Sequence, residues 1–123
     1  MSIVKDFFTR LDASNEKQLR NVTLAYIAFH AIFWFFTAFV SHTAPHKDSI
    51  EELFWLQHFD WGYPKFGPIG TWWVHLFVVI FGRAVWVTYL AGVVNVALML
   101  LVVWRIALII ASPAKALMAV ILT

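Results

Sequence analysis

Asp48 and Glu51 are the pair of residues in this sequence whose type and spacing best fit acid–base chemistry. They are three residues apart, so on an α-helix their carboxylates lie on the same face. A carboxylate held at the first turn of a helix, just beyond a membrane, can act as a general base toward a substrate that arrives from the lipid. The same Asp-x-x-Glu spacing also forms a capping box, in which both side chains only bind backbone N–H groups, and from spacing alone this is the more common outcome.

The following loop carries two aromatic residues, Trp61 and Tyr63, and one basic residue, Lys65. Trp61 and Tyr63 present flat apolar faces with a polar edge, a pattern that an aromatic belt at the membrane interface also gives. Lys65 adds a compact positive charge to the same loop. We expect no metal site among the histidines, because a proline between His42 and His46 makes a regular helix there unfavourable.

The composition indicates that these residues belong to a membrane protein. Of the 123 residues, 62% are hydrophobic, 18% are aromatic and only 13% are charged, which is far from the usual mix of a soluble protein. The formal charge of +2 is small and scattered, which argues against a nucleic-acid partner. The absence of cysteine excludes a disulfide framework, a thiolate zinc site and a thiol nucleophile.

Two segments without a formal charge are long enough to cross a bilayer, which takes about 20 residues. We predict transmembrane helices over residues 22–40 and 84–110, the second continuing past Arg105. Gly92 and Asn95 lie inside the second span, where we expect them to face other helices. The predicted fold is therefore all-α, with multi-pass membrane helices and an extracytoplasmic loop that contains amphipathic juxtamembrane helices.

The remaining segments are assigned from their position relative to the two spans. Residues 1–21 fit a cytoplasmic amphipathic segment, with a frayed tail as the alternative. In the loop of residues 41–83, helical periodicity begins at Lys47 and a short apolar helix is expected over Thr71–Phe81. The Gly- and Pro-rich stretch Asp60–Gly70 separates the two as a turn region. Residues 111–123 then read as the start of a further, incomplete membrane helix, as though the natural chain continued.

Basic residues near the spans predict the orientation of the chain in a bacterial-type cytoplasmic membrane. More of them lie in the two end segments than in the loop, so both ends are expected on the cytoplasmic side and residues 41–83 outside. The end segments carry Lys5, Arg10, Lys17, Arg20, Arg105 and Lys115, and the loop carries Lys47, Lys65 and Arg83.

Several motifs follow one another in the order Asp48-Ser-Ile-Glu51, Trp55, Trp61-Gly-Tyr-Pro-Lys65, Pro68, Trp72 and Phe81-Gly82. This order resembles the first extracytoplasmic loop of the polyprenyl-phosphate-sugar glycosyltransferases of the GT-C fold. These are the family 39-like enzymes related to protein mannosyltransferases and to the lipid A aminoarabinose transferases. The resemblance extends from about Val22 to Trp104. It departs from the family at Phe66-Gly67-Pro68, where the family has a His-Pro-Pro-like turn.

The resemblance implies an inverting transfer of a sugar from a polyprenyl-phosphate donor to an acceptor at the outer face of the membrane. In it Asp48 would be the general base, Glu51 would orient or assist it, and Lys65 would meet the donor phosphate. Trp61 and Tyr63 would contact the sugar. The implied partners are membrane lipid and the lipid-linked sugar, with the acceptor unnamed and a divalent cation as the one cofactor left open.

Members of that family have many more membrane helices than two. The chain would therefore be the N-terminal part, or a truncated relative, of such an enzyme, and would be inactive by itself. Further helices of a longer chain, or another subunit to which this chain supplies Asp48, would complete the site. The alternative from a different class is a small non-enzymatic membrane protein that binds a partner or lipid through its aromatic loop.

Overall fold

The computed structural model describes residues 16–41, 47–63, 65 and 67–123, and these residues form five α-helices and no strand. The predicted all-α fold is therefore confirmed. Most of the predicted N-terminal segment, residues 1–21, lies outside the described residues. The helices are α1 (Glu16–Ser41), α2 (Lys47–Trp55), α3 (Pro68–Phe81), α4 (Val85–Ile110) and α5 (Pro113–Ile121).

Helices α1 and α4 are long and apolar enough to cross a membrane by length and composition. Each has 26 residues and is therefore roughly 39 Å long. Helix α1 begins six residues before the predicted span, with Glu16 in its first turn, where an acid interacts favourably with the positive helix end. Inside α1 the hydroxyls of Thr23 and Thr37 donate to the carbonyls four residues earlier, at 2.9 and 2.8 Å. These bonds satisfy polar groups within an apolar helix.

Helix α4 continues past Arg105 to Ile110, as predicted. Gly92 and Asn95, which we expected to face other helices, are both exposed, so none of the described helices covers them. A Cβ placed on Gly92 would meet no atom within 4 Å. A small residue permits a close helix approach but does not create one, so composition alone could not decide this.

Helix α3 begins at Pro68, so the predicted turn region, which ran to Gly70, is three residues too long. Gly67 is extended and Pro68 takes the first turn of the helix, where its fixed φ fits and its missing N–H is not needed. The helix has 14 residues, or roughly 21 Å, which is too short to span. It ends at Gly82, whose φ of 86° favours glycine and whose N–H donates to the Val78 carbonyl at 2.9 Å.

The chain divides into two compact units, and the first combines the residues up to Ile32 with Val96–Thr123. Its core holds one residue of α1, two of α4 and two of α5. The backbone of α5 can pack closely because one of these residues is an alanine with no exposed surface. The core residues are Ile27, Leu100, Trp104, Ala116 and Val120.

The second unit, Phe33–Asn95, contains α2, α3 and the loop between them. Helices α2 and α3 contact each other. The indole N–H of Trp73 in α3 donates to the carbonyl of Ala91 in α4 at 2.9 Å, which ties these two helices together. This unit holds all five candidate site residues.

Candidate functional site

A lysine from the loop bridges the two candidate carboxylates of α2. The ammonium of Lys65 donates to Asp48 Oδ1 at 2.8 Å and to Glu51 Oε2 at 2.7 Å. Lys47 lies 3.7 Å from the other oxygen of Glu51. The group thus contains two carboxylates and two ammonium groups, and we refer to Asp48, Glu51 and Lys65 as the carboxylate–lysine cluster.

The ion pairs of the cluster contribute little to the stability of the fold, but they hold three charged groups in contact. Asp48 and Lys65 are both about half-exposed, and exposed ion pairs contribute little because water screens them. Helix α2 supplies the geometry, since residues three apart on a helix are neighbours. The loop supplies the third member across 17 residues of sequence. The position of Lys65 in the loop therefore determines whether the two carboxylates of α2 share a positive partner.

The proximity of these groups shifts their protonation equilibria in opposite directions. The hydrogen bond from Lys65 lowers the pKa of Glu51 below its ordinary value, and the positive charges of Lys65 and Lys47 act in the same sense. The hydrogen bonds to Asp48 and then to Glu51 raise the pKa of Lys65. Both shifts favour the charged forms, so Glu51 and Lys65 are ionised together at neutral pH.

The loop before Lys65 is held by hydrogen bonds on both sides of Asp60. The N–H of Asp60 donates to the Tyr63 hydroxyl at 3.1 Å, and that hydroxyl donates to the carbonyl of His58 at 3.0 Å. The carbonyl of Asp60 accepts from the indole N–H of Trp72 at 3.1 Å. Trp72 is in α3, so these bonds fix the loop to that helix and limit where Lys65 can reach.

Aromatic rings extend from this loop onto α3. Phe59 stacks on Trp72 with ring centres 5.1 Å apart and planes 11° apart. Trp61 meets the same indole edge-on at 5.2 Å, and 82% of Trp61 is exposed. Apolar rings left open in this way are typical of a membrane interface or of a ligand surface. We refer to Phe59, Trp61 and Trp72 as the aromatic surface.

The structure separates the five predicted site residues into groups. Asp48, Glu51 and Lys65 are in direct contact. The ring of Tyr63 lies 6.5 Å from Trp55, which is one turn after Glu51 on α2. Trp61 instead contacts Trp72 of α3. Asp48 is the second residue of α2, rather than the residue before the helix that a capping box uses, and its carboxylate binds the loop.

Two polar atoms next to the cluster were not identified from the sequence. Glu52 Oε1 and Trp55 Nε1 are buried and have no hydrogen-bond partner among the described residues. They are three residues apart on α2, one an acceptor and the other a donor. Buried polar atoms are normally paired, so these two atoms are exceptions in this part of α2. The only sequence signal was the helical spacing itself.

The described residues contain no group of three or more His, Cys, Asp or Glu side chains placed to hold a metal ion. A divalent cation at Asp48 and Glu51 would compete with the Lys65 ammonium for the same oxygens. The two carboxylates in their present arrangement therefore fit an ammonium better than a divalent cation.

Comparisons of the chain with protein-family models, with curated protein sequences and with solved structures find no match.

Proposed function

We propose that this chain is part of an integral-membrane inverting glycosyltransferase that moves a sugar from a polyprenyl-phosphate donor to an acceptor. The observation that carries the proposal is the carboxylate–lysine cluster, with Lys65 within 2.8 Å of Asp48 and 2.7 Å of Glu51. A carboxylate and an ammonium group lie side by side there, as the base and the phosphate-binding charge of such an enzyme would. The resemblance of the motif order from Asp48 to Gly82 to the GT-C enzymes gives the substrate class.

In the proposed step the acceptor hydroxyl gives its proton to Asp48 as its oxygen attacks the anomeric carbon of the donor sugar. The bond from that carbon to the phosphate oxygen breaks, and polyprenyl phosphate leaves with the electron pair. Attack from the face opposite the phosphate inverts the configuration. A positioned base contributes typically a factor of 10² to 10⁴ in rate.

Lys65 has two successive roles in this proposal. In the absence of substrate its ammonium stabilises the ionised carboxylates of Asp48 and Glu51. A donor phosphate competes for the same ammonium, because a phosphate oxygen is an equally strong acceptor. As the lysine turns to the phosphate, its hydrogen bond to Asp48 Oδ1 breaks, and that oxygen can then accept the proton of the acceptor hydroxyl. Donor binding would therefore activate the base.

The membrane setting of the proposal rests on how little of the two long helices is covered. In the most apolar 18-residue window of each, only 11% of α1 and 17% of α4 is buried inside the described chain. A core helix of a soluble protein would be largely buried. Lipid, or further helices of a larger assembly, accounts for an exposed apolar surface of this extent. We place both ends on the cytoplasmic side and residues 41–83 outside.

The test is transfer activity in membranes of cells that carry the gene at its natural locus, so that any completing helices are present. Asp48→Asn removes the base while keeping the size of the side chain. We expect transfer from polyprenyl-phosphate sugars to fall by about 10² to 10⁴. Asp60→Asn is the matched control, since Asp60 enters the loop contacts through its backbone. Equal activity of the Asp48 variant and the wild type would exclude Asp48 as the base.

A second candidate function is favoured by the aromatic surface. Trp61 is 82% exposed, so a non-enzymatic membrane protein could use this loop to bind lipid or a partner. Trp61→Ser distinguishes the two functions. If the chain is part of a transferase, Trp61→Ser changes the KM for the donor and leaves membrane association intact. If it is a binding protein, Trp61→Ser abolishes partner capture and Asp48→Asn has no effect.

A further inference from the structure

A polar cavity lies in the first unit, and none of its lining residues is used in the proposed function. It has a volume of about 220 Å³ and opens among the start of α1, the last turns of α4 and the start of α5. Two of its lining residues are arginines and one is a glutamate. The residues that line it are Glu16, Leu19, Arg20, Trp104, Arg105, Leu108 and Pro113.

The cavity has an excess of positive charge. Arg20 and Arg105 contribute two guanidinium groups, and Glu16 contributes one carboxylate. Within residues 16–41, 47–63, 65 and 67–123, no carboxylate lies within ion-pair distance of either arginine. Each guanidinium can donate up to five hydrogen bonds in a planar fork that matches a phosphate. An anion is therefore the ligand that this charge distribution favours.

One of the two lining arginines, Arg105, is oriented by an aromatic ring. The guanidinium carbon of Arg105 lies 5.4 Å from the centre of the Trp104 ring, which is within cation–π range. Trp104 is buried in the core with Leu100 and Val120. Stacking on a buried ring orients Arg105 without using its N–H donors, so these remain for a ligand. The positive end of the nine-residue helix α5 begins at Pro113, on the wall of the same cavity, and adds to the positive potential.

The surface beside the cavity indicates where the anion comes from. Leu98 and Val102 precede Arg105 by seven and three residues, so they lie on the same face of α4. Both are exposed. An acyl chain can lie along these side chains while its headgroup reaches Arg105. A soluble phosphate would make no use of this apolar strip.

We propose that this cavity binds a phosphate group, supplied by the headgroup of an anionic phospholipid, between Arg20 and Arg105. The site is independent of the glycosyltransferase proposal, since it shares no residue with the carboxylate–lysine cluster. Its consequence is a specific lipid requirement of the first unit. Glu16 opposes the bound charge and tunes the affinity downward.

The experiment measures lipid binding to the purified chain in uncharged detergent by native mass spectrometry. Phosphatidylglycerol is titrated against phosphatidylcholine, and inorganic phosphate is added in a separate arm. We expect phosphatidylglycerol to be retained preferentially. Arg105→Gln and Arg20→Gln should each weaken it by about tenfold or more, the equivalent of one charge-assisted hydrogen bond. Glu16→Gln should strengthen it.

The matched control is Lys17→Gln, which removes one positive charge next to Glu16 without altering a lining residue of this cavity. We expect a change below about twofold from this loss of surface charge. Arg105→Lys keeps the charge, loses the fork and should still weaken binding. If inorganic phosphate at the same concentration displaced the phosphatidylglycerol, the cavity would bind a soluble phosphate, and the assignment to a lipid headgroup would be wrong. An effect of Lys17→Gln equal to that of Arg105→Gln, with folded helices by circular dichroism, would overturn the site.

Discussion

A mutation in the core of the first unit can show whether the helices are surrounded by lipid or by water when they separate. The quantity to measure is the loss in the free energy of unfolding. Leu100 is 3% exposed and packs in the cluster with Ile27 and Trp104. Leu100→Ala removes three carbon groups from this cluster. In a water-soluble protein such a change costs about 3 to 5 kcal/mol. Roughly 2.4 kcal/mol of this is the free energy of transferring the three carbon groups out of water, at about 0.8 kcal/mol for each.

In a bilayer the transfer contribution disappears, because lipid chains are as apolar as leucine and the separated helix keeps its side chain out of water. Only the loss of packing and the remaining cavity contribute. We therefore expect Leu100→Ala to lower the free energy of unfolding by about 1 to 2 kcal/mol. Leu98→Ala is the matched control, since Leu98 lies on the same helix and is 45% exposed. It should cost less than about 0.5 kcal/mol.

Reversible unfolding by SDS titration in mixed micelles measures both values, with tryptophan fluorescence as the signal because Trp104 belongs to the cluster. Equal losses at Leu98 and Leu100 would show that the described core is not the packed core. A loss above about 3 kcal/mol at Leu100 would show that the unfolded helices are exposed to water. That second result would contradict the placement of α4 in a membrane.

Three further predictions concern the second unit. Tyr63→Phe removes the hydroxyl that accepts a hydrogen bond from the Asp60 N–H. Because such a bond is worth about 1 kcal/mol, hydrogen–deuterium exchange of that amide should become about fivefold faster. An unchanged exchange rate would refute the contact. Glu51 has a pKa lowered from 4.5, so its contribution to stability is complete above pH 4.5 and is lost as the pH falls through the depressed value. Lys65 has a pKa raised from 10.5, so its contribution is complete below pH 10.5 and is lost as the pH rises through the elevated value. Carboxyl NMR titration should find that Lys65→Gln moves the pKa of Glu51 back toward 4.5, and no movement would contradict the pairing. Gly82→Ala should lower the free energy of unfolding by about 1 to 3 kcal/mol, measured by thermal unfolding, because φ 86° and ψ 171° lie in a region that essentially only glycine adopts. A neutral effect would place the end of α3 elsewhere.

Features encoded by neighbouring residues could be predicted from the sequence. The two long apolar helices depend on local composition, so α1 and α4 could be predicted, and the end of α4 at Ile110 follows from the apolar residues that continue beyond Arg105. The boundary of α3 was missed by three residues because Pro68 was counted as a turn former. Proline also suits the first turn of a helix, and only the conformation of Gly67 distinguishes the two uses.

The carboxylate–lysine cluster combines a contact that the sequence predicts with one that it does not. Helical spacing put Asp48 and Glu51 on one face, since this is a short-range property. The bridge from Lys65 crosses 17 residues and depends on how Tyr63 and Trp72 hold Asp60, which no local pattern encodes. A lysine assigned to a phosphate is thus found on two carboxylates, and the two assignments are compatible only if it moves. If the transferase proposal is right, Lys65→Gln must therefore weaken donor binding and also alter the pH dependence of the reaction at Asp48. A residue that only braced the loop would change neither.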